Sequence, residues 1–456
     1  MRIYNTLTRK TEHLEIPASV GINLFVCGPT VYDYSHIGHA RTYIFFDAFV
    51  KFLRKRLKMK INYLQNITDI DDKIIDRALE QNKSWSDISK TFYDEYKEDM
   101  ASIGVDSVDT YAEATKYIPE MISQIERLIK KGFAYQSANS VYFDVRKFPD
   151  YGKLSRQKLA DLKEGVRVEI EAGKKYFADF ALWKASKENE PTWPSPWGEG
   201  RPGWHIEDTA ITEKHFGPRY NIHGGGLDLI FPHHEAEIAQ MESVSGLSPL
   251  AQIWIHTGML MVNGEKMSKS LGNFVTIKDF LNENSPEVLR YIMLSSHYRS
   301  PLDFTKKSAE MAVSSISRIK DFAGRLEKIE NQSPPFPVEE FTKEFWKHLE
   351  DDFSMPQAFG SLFELVKEAN KFIDSHSLSK PDAQKIIDFI SDVNDIFGIL
   401  PKEEHAPDEI TALAVDREKA RKAGDFEKAD ELREKIKEFG WDIDDTSDGP
   451  RISKIK

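Results

Sequence analysis

The sequence predicts an α/β fold that begins with a parallel sheet and ends in helices. Two short β-type runs, Ile22–Val26 and residues 60–64, flank a stretch in which apolar residues recur at helical spacing. A strand, a helix and a second strand over this length favour a right-handed βαβ unit, and therefore parallel strands. Beyond residue 305, three segments with apolar stripes at helical spacing (309–329, 338–352 and 356–375) favour a helical bundle.

The same patterns divide the chain into six predicted regions. These are the first half of a sheet domain (1–120), an insertion (121–200), the second half of the sheet domain (201–262), a region with a basic loop (263–308), a helical bundle (309–400) and a small C-terminal domain (401–456). The insertion is expected because a helix at 118–131, a β segment near 140–143 and a proline-rich stretch interrupt the alternation of strands and helices. In the tail, Gly424 and Asp425 are expected to break a charged helical stretch into two helices.

Composition limits the class of protein. With 456 residues, 40% hydrophobic and 30% charged, the chain is expected to be a water-soluble protein of several domains. It contains no apolar run near the roughly 20 residues that a membrane helix needs. Cys27 is the single cysteine, which excludes an intramolecular disulfide and favours a cytoplasmic location. The net charge of −12 argues against indiscriminate nucleic-acid binding but leaves a local basic groove open.

The first motif that indicates chemistry is His36-Ile37-Gly38-His39, between a Gly-Pro turn and a predicted helix. Phosphates favour the start of a helix, because unpaired N–H groups and the helix dipole both face them. Gly38 permits close approach to the backbone, and the two histidines can donate hydrogen bonds to phosphate oxygens. The alternative is an ordinary helix start with two surface histidines.

The second motif is Lys266-Met267-Ser268-Lys269-Ser270, in a loop that begins with Asn263 and Gly264. Two mobile ammonium groups suit the charge that develops on a pyrophosphate. The alternative is a solvated basic turn. Because the two motifs lie on either side of a split sheet domain, together they predict one site for a nucleoside triphosphate.

A glycine run between these motifs predicts a third contact. Gly224, Gly225 and Gly226 permit close contact with an adenosine ring or ribose, and Asp228 can accept from a hydroxyl or ammonium group. A plain turn is the alternative for the glycines.

Several residues have the character of metal ligands. A helix is expected to open at Pro232, and His233 and Glu237 would then share one face and present two ligands to one metal. The alternative is a helix start enriched in acids. Cys27 by itself is either a ligand or a small buried apolar residue. Thr68, with an acid three residues later, has the pattern of a helix N-cap.

Taken together, these motifs resemble the cysteinyl-tRNA synthetases, which are class I aminoacyl-tRNA synthetases. The resemblance covers nearly the whole chain. It implies a Rossmann-like catalytic domain (1–120 and 201–262) with a connective insertion (121–200), a stem-contact region (263–308), a tRNA-binding helical bundle (309–400) and an anticodon-binding C-terminal domain (401–456). It also implies that L-cysteine is activated with Mg·ATP to cysteinyl-adenylate and transferred to the 3′-terminal ribose of tRNA(Cys). A monomer without membrane contact is expected.

The resemblance also assigns roles to individual residues. The triphosphate contacts and catalytic groups would be His36, His39, Lys266 and Lys269. The remaining ATP contacts would be Gly38, Gly224, Gly225, Gly226 and Asp228. The cysteine-binding residues would be Cys27, Gly28, Thr68, Trp204 and His233.

The implied zinc site departs from the family pattern at one position. Its ligands would be Cys27, Asp208, His233 and Glu237, with Asp208 where the family has a cysteine after a Trp-His-Ile-Glu string. Aspartate is itself a zinc ligand, and its charge equals that of a thiolate. One zinc ion per chain is therefore expected, and in this family it would select the cysteine thiol.

Two alternatives remain. One is a ligase that activates cysteine but passes it to an amino sugar, as in mycothiol synthesis, although those ligases lack the C-terminal RNA-reading tail. The other is a non-catalytic relative on the same scaffold, which the intact histidines and lysines of both motifs disfavour. In the tail, basic residues at 416–426 are expected either to contact RNA phosphates or to form a solvated helix face, and Trp441 to stack on a base.

Overall fold

The computed structural model describes residues 1–14, 21–159, 173–188, 190–268, 271–401, 406–446 and 449–454. Lys269, one of the predicted triphosphate contacts, lies outside these residues. The chain forms two compact units, Met1–Ile399 and Leu400–Lys456. Within the described residues, no helix combines the length and apolar character needed to cross a bilayer.

The first unit contains strands and helices in alternation, followed by helices. The strands are β1 (Arg2–Asn5), β2 (Lys10–His13), β3 (Ile22–Val26), β4 (Ile61–Ile67), β5 (Thr110–Glu113), β6 (Ala134–Ser137), β7 (Ser140–Phe143), β8 (Phe180–Ala185), β9 (Gly200–Pro202), β10 (Tyr220–Gly226), β11 (Ala251–Thr257), β12 (Leu260–Val262), β13 (Glu265–Lys266) and β14 (Leu302–Phe304). The helices are α1 (Ile37–Lys51), α2 (Asp72–Gln81), α3 (Trp85–Ser102), α4 (Ile118–Lys130), α5 (Trp204–Phe216), α6 (Glu235–Ser245), α7 (Ile277–Glu283), α8 (Pro286–Ser295), α9 (Lys306–Leu326), α10 (Val338–Glu350), α11 (Met355–Asp374) and α12 (Lys380–Phe397).

A five-stranded parallel sheet lies at the centre of this unit, with the strand order β11-β10-β3-β4-β5. The predicted α/β class with a parallel sheet is confirmed. From β3 the chain builds outward to β4 and β5, whereas β10 and β11 extend the sheet in the other direction. The strand order therefore reverses between β3 and β10. In open parallel sheets, ligands bind at the carboxyl ends of the strands at such a reversal.

Aromatic side chains bury helix α1, with Phe46 against Gly224 of the central sheet and Phe45 and Phe49 against Phe353. Phe45, Phe46 and Phe49 are almost completely buried. The helix continues into a π-helical turn at Phe52–Arg56. Because α1 begins directly beside the reversal point, its burial fixes the position of the histidine motif at its start.

The insertion forms a separate antiparallel sheet with the order β6-β7-β8-β9. The predicted helix before it is confirmed as α4, and the predicted β segment is confirmed as β7. Helix α5 follows β9 at once, so this small sheet positions the segment that begins with Trp204.

The helices after β14 form the predicted bundle, but the sequence analysis missed α12. Ser379 accepts from the N–H of Asp382 to cap its start, and Gly398 ends it with a φ of 58°. Arg290 of α8, which is buried, donates to the carbonyl of Phe397 at 2.5 Å and to Asp47 of α1 at 2.8 Å. Through Arg290, α12 is therefore joined to α1.

The second unit contains α13 (Asp408–Lys422), α14 (Phe426–Glu438) and a hairpin of β15 (Trp441–Thr446) and β16 (Gly449–Lys454). The predicted break is confirmed, because Asp425 accepts from the N–H of Lys428 to cap α14. Trp441 is 7% exposed and belongs to the core of this unit. The prediction that Trp441 stacks on a base is therefore wrong, since its ring faces are taken by apolar neighbours.

Candidate active site

The predicted site residues meet where the central sheet reverses its strand order. Cys27 and Gly28 follow β3, Thr68 follows β4, and Gly224 to Gly226 end β10. The N–H of Cys27 donates to the carbonyl of Gly224 at 3.1 Å. Three separate stretches of sequence thus meet at one end of the central sheet.

His36 and His39 cap α1 and cap each other. Nδ1 of His36 accepts from the N–H of His39 at 3.2 Å, and Nδ1 of His39 accepts from the N–H of His36 at 3.4 Å. The rings stack with centroids 3.8 Å apart. A ring nitrogen that accepts carries no proton, so in each neutral ring the proton is on Nε2. Burial, followed by the charges of His36 and Lys73, lowers the pKa of His39, which keeps that ring neutral.

Glycine at position 38 is required by this capping arrangement. A Cβ on Gly38 would lie 2.8 Å from Nδ1 of His36 and 3.3 Å from Cε of Met267. Any side chain there would displace the capping ring. Contact of the Gly38 backbone with a ligand stays a prediction.

The structure brings the basic loop to the start of α1. The N–H of Ile37 donates to the carbonyl of Val275 at 3.1 Å, and the N–H of Ile277 donates to the carbonyl of Ser35 at 2.9 Å. The two motifs, far apart in sequence, therefore adjoin. This adjacency is what a shared triphosphate site requires.

Asn273 braces the described part of the basic loop. Its Oδ1 accepts from the N–H of Ser268 at 2.8 Å, and its Nδ2 donates to the carbonyl of Lys266 at 3.2 Å. Lys266 lies in β13 and is exposed. The loop is thus held at its backbone while the ammonium group of Lys266 faces solvent.

The four predicted metal ligands converge in one buried cluster. Ligand atoms of Cys27, Asp208, His233 and Glu237 all lie within 4.8 Å of one another. Nε2 of His233 lies 2.9 Å from Oδ2 of Asp208 and 3.3 Å from Oε1 of Glu237. Sγ of Cys27 lies 3.3 Å from Oδ2 of Asp208 and 3.9 Å from Oε1 of Glu237.

These four distances, 2.9–3.9 Å, bracket those expected around a tetrahedral ion. With metal–ligand bonds of about 2.0–2.3 Å, ligand atoms around tetrahedral zinc lie about 3.3–3.7 Å apart. Oδ1 of Asp208 and Oε2 of Glu237 are buried and have no hydrogen-bond partner among the described residues. The donor set of sulfur, nitrogen and carboxylate oxygen is also one that zinc accepts. The residues present therefore fit the metal that the sequence predicts.

The electrostatics of the cluster also favour a cation. Burial raises the pKa of the Cys27 thiol well above its usual value, and the carboxylates of Glu237 and Asp208 raise it further. Burial, with the charge of Asp208, likewise raises the pKa of Glu237. Acidic groups crowded in a dry pocket resist ionisation together, and a divalent cation would reverse that resistance.

Further buried histidines surround the cluster. Nδ1 of His233 contacts Nδ1 of His205 at 2.8 Å. His223 and His234 both approach Sγ of Cys27, and Nδ1 of His234 contacts Nε2 of His256 at 2.9 Å. Burial lowers the pKa values of His205, His223 and His234, and it lowers that of His256 to about 3. These four rings are therefore neutral and suited to act as ligands or as partners of ligands.

Comparison with known proteins assigns the family. The model of the tRNA synthetases class I (C) catalytic domain matches residues 14–314, and the DALR domain model matches residues 344–401. The cysteine–tRNA ligase of Thermoplasma acidophilum is 48% identical over 453 residues, which cover 98% of this chain and 99% of the relative. The chain belongs to the cysteine–tRNA ligase family of class I aminoacyl-tRNA synthetases.

Other relatives agree with this assignment. The cysteine–tRNA ligase of Thermodesulfovibrio yellowstonii is 44% identical over 493 residues and is covered completely, as is this chain. Among solved structures, methionyl-tRNA synthetase of Mycobacterium tuberculosis in complex with methionyl-adenylate has a TM-score of 0.62 at 14% identity, covering 82% of this chain and 89% of that one. A putative arginyl-tRNA synthetase of Campylobacter jejuni has a TM-score of 0.55 at 15% identity, covering 83% and 92%. These structural likenesses show the class I fold.

Thr68 does not cap a helix, so that interpretation is wrong. Asp71 is the N-cap of α2, and Thr68 instead bridges to Thr30 at the end of β4. Oγ1 of Thr68 donates to Oε2 of Glu207 at 2.8 Å. Trp204, half-exposed at the start of the same helix as Glu207, stacks on His233 with centroids 4.2 Å apart. Thr68 and Trp204 therefore lie beside the cluster of Cys27, Asp208, His233 and Glu237, and their contact with cysteine stays a prediction.

The expected helix at Pro232 starts later than predicted. α6 begins at Glu235, and a π-type turn at Ile230–His234 with extended backbone at Phe231 precedes it. His233 and Glu237 nevertheless direct Nε2 and Oε1 to the same point, as the four-residue spacing predicted.

Close packing requires glycine at positions 224 to 226. A Cβ on Gly224 would lie 2.2 Å from Cζ of Phe46, and one on Gly225 would lie 2.9 Å from Cε1 of His234. A Cβ on Gly226 would lie 2.5 Å from Oδ1 of Asp228. Their contact with adenosine stays a prediction, since the close neighbours already explain why glycine is needed.

The sequence analysis missed three buried groups at the site. Glu207 is fully buried, its Oε1 has no hydrogen-bond partner among the described residues, and burial together with Asp208 raises its pKa. His223 and His234 both face Cys27. All three stand next to predicted site residues, but no spacing in the sequence marks them as members of the cluster.

Proposed function

We propose that the chain activates L-cysteine with Mg·ATP to form cysteinyl-adenylate and transfers the cysteinyl group to the 3′-terminal ribose of tRNA(Cys). Family membership supports the reaction class, and the buried cluster around Cys27 supports cysteine as the amino acid. The curated relatives are cysteine–tRNA ligases over their whole length, which favours a tRNA acceptor over an amino sugar.

The start of α1 and the basic loop bind the triphosphate. His36 and His39 donate from Nε2, because their Nδ1 atoms are occupied in capping. Lys266 and Lys269 supply two positive charges as the pyrophosphate leaves. Gly38, Gly224 to Gly226 and Asp228 line the remainder of the ATP site. In the proposed reaction the carboxylate of cysteine attacks the α-phosphate of ATP and pyrophosphate leaves, so the residues accelerate it by orientation and electrostatic stabilisation.

The cluster around Cys27 binds the substrate side chain. Cys27, Asp208, His233 and Glu237 would hold a divalent ion, and their mutual distances support this assignment. A bound zinc ion would supply Lewis acidity and a preference for a thiolate sulfur over a hydroxyl oxygen. Since serine differs from cysteine by that one atom, hydrogen bonds alone would discriminate between them poorly.

Thr68, Trp204 and Gly28 shape the pocket around the amino acid. Thr68 is held by Glu207, and Asn66 accepts from the N–H of Gly28 at 2.5 Å, which fixes the backbone after β3. Trp204 covers His233 from the solvent side. These contacts hold the pocket walls in place before substrate enters.

Amino-acid-dependent exchange of pyrophosphate into ATP tests the proposal. Purified full-length protein should catalyse exchange with cysteine, and exchange with serine should be slower by orders of magnitude. Elemental analysis should find about one zinc per chain. Active protein without metal would overturn the zinc assignment, and exchange that is equal with serine would overturn thiol selection.

Deletion of residues 401–456 tests the RNA acceptor. The deleted segment nearly coincides with the second compact unit. We expect pyrophosphate exchange to persist and acylation of tRNA(Cys) to fall. Undiminished acylation would contradict a role for this unit in binding tRNA.

A further inference from the structure

A second set of ligand-type side chains overlaps the first. Cys27, His223, His234 and Glu237 are all buried, and their ligand atoms also lie within 4.8 Å of one another. Sγ of Cys27 lies 3.2 Å from Nε2 of His234 and 3.5 Å from Nε2 of His223. Nε2 of His234 lies 3.9 Å from Oε1 of Glu237, and Nε2 of His223 lies 3.7 Å from Oε2 of Glu237. The pocket therefore offers two sets of four donors that share Cys27 and Glu237.

Both additional imidazoles are held so that Nε2 faces the pocket. Nδ1 of His223 contacts the hydroxyl of Tyr220 at 2.7 Å. Nδ1 of His234 contacts Nε2 of His256 at 2.9 Å, and Nδ1 of His256 contacts Oγ1 of Thr6 at 2.8 Å. Histidines that bind metals are usually oriented through their second ring nitrogen in this way. Oε2 of Glu237, on the side of His223, has no hydrogen-bond partner among the described residues.

The two sets differ in charge. Cys27, Asp208 and Glu237 contribute a thiolate and two carboxylates to the first set, whereas the second set has one thiolate and one carboxylate. The charges of the ligands alone balance a divalent ion only in the second set. Asp208 stays in the same buried pocket in both cases, so the second set lowers the negative charge on the ion itself and not that of the whole pocket.

The two sets also differ in depth. The first set includes His233, whose ring stacks on the half-exposed Trp204. In the second set, His223 stacks on the fully buried Trp254 with centroids 4.1 Å apart. An ion held by the second set would leave the Trp204 side of the pocket to the substrate.

We propose that His223 and His234 form an alternate ligand pair for the divalent ion. Cys27 and Glu237 bind the ion in both arrangements. The other two ligands are Asp208 and His233 in the first arrangement, and His223 and His234 in the second. The inference rests on the metal site of the proposed function. It gives a physical reason for tolerating Asp208 in place of a thiolate, because a carboxylate is released from zinc more readily than a thiolate.

The first test uses the full-length Asp208→Asn protein, which keeps the side-chain shape and removes its charge. Elemental analysis should still find about one zinc per chain. X-ray absorption at the zinc edge should show one sulfur and two imidazole ligands. Adding His234→Gln to this variant should weaken zinc binding at least about 100-fold, since loss of a partner that only orients a ligand already costs about 10- to 100-fold.

His205→Gln in the same Asp208→Asn background is the matched control. His205 is also a buried histidine, but its ring contacts His233, which belongs only to the first set. Zinc affinity should therefore stay unchanged in this control. If zinc binding depends on His205 and not on His234, or if the Asp208→Asn protein shows a single imidazole ligand, the alternate pair does not exist and the proposed zinc site stands.

A measurement on the wild-type protein covers the case in which Asp208→Asn does not fold. With cysteine bound, wild-type protein should show two sulfur and two imidazole ligands by X-ray absorption. A single imidazole in that state overturns the alternate pair. Wild-type protein that exchanges pyrophosphate but contains no zinc overturns both the alternate pair and the zinc part of the proposed function.

Discussion

Replacing His36 with asparagine separates capping of α1 from binding of phosphate. Nδ1 of His36 accepts from the N–H of His39 at 3.2 Å, and asparagine Oδ1 occupies a comparable position and is among the best N-caps. We therefore expect stability within about 0.5 kcal/mol of wild type. The change removes the Nε2–H donor. If that donor stabilises the transition state, kcat should fall about 10²- to 10³-fold, which corresponds to about 2.7–4 kcal/mol.

Cysteine-dependent pyrophosphate exchange and urea unfolding measure the two effects separately. His36→Ala is the matched control, because it loses the cap as well as the donor and should be destabilised by about 1 kcal/mol in addition. His39→Gln follows the same logic, since glutamine at the third helical position can keep the reciprocal cap. A His36→Asn enzyme with the wild-type rate would show that the histidine is only a helix cap, and would refute the assignment to the triphosphate.

Three further predictions follow from burial. Burial and the neighbouring carboxylates raise the pKa of Cys27, so the thiol is protonated below that pKa and zinc binding must release the proton. Zinc affinity should therefore rise up to about tenfold per pH unit from pH 6 to 8. Calorimetry in two buffers should detect the released proton. An affinity that is flat over this range would contradict the burial of an ionising ligand. Gly224→Ala should destabilise the protein by about 1–3 kcal/mol, because the added Cβ would clash with Phe46. Adding Phe46→Leu to this variant should restore part of the lost stability. A double-mutant cycle in urea that shows no coupling between the two positions would refute the packing explanation. Trp441→Ala should destabilise the C-terminal unit by about 3–5 kcal/mol, because the ring is buried. Phe426→Ala is the control, since this exposed side chain should change stability by no more than about 0.5 kcal/mol. Equal melting temperatures of the two variants would contradict a core role for Trp441.

Local signals predicted the elements that position the site. β3 and the start of α1 were predicted because a short apolar run, a Gly-Pro turn and an amphipathic stretch each act over a few residues. The same kind of signal misled the analysis at Thr68. Both Thr68 and Asp71 are good N-cap residues, and the ladder between β3 and β4 extends to a bridge between Thr30 and Thr68. Because Thr68 pairs with Thr30, 38 residues away in the sequence, Asp71 and not Thr68 is the N-cap of α2.

His223 and His234 could not be predicted as members of the site, because residues distant in the sequence bring them to Cys27. His223 precedes a glycine run and His234 follows another histidine, so neither has a spacing that marks it as part of a cluster. They face Cys27 only because β3 and β10 are neighbours in the sheet. Helix α12 is a different case, because its signal was present: Ser379 caps it, a proline occupies its first turn, and Ile386, Phe389 and Val393 lie at helical spacing.

The aspartate at position 208 and the buried histidines around it are best understood together. A thiolate at that position would be a soft, strongly held ligand, and zinc would have little reason to use another donor. A carboxylate keeps the charge but binds less exclusively, and Oδ1 of Asp208 has no hydrogen-bond partner among the described residues. Neutral imidazoles of His223 and His234 lie within reach of the same thiol. In the proposed site, the weaker ligand and the additional donors therefore compensate for each other, so that the pocket would retain a cation with a carboxylate at position 208.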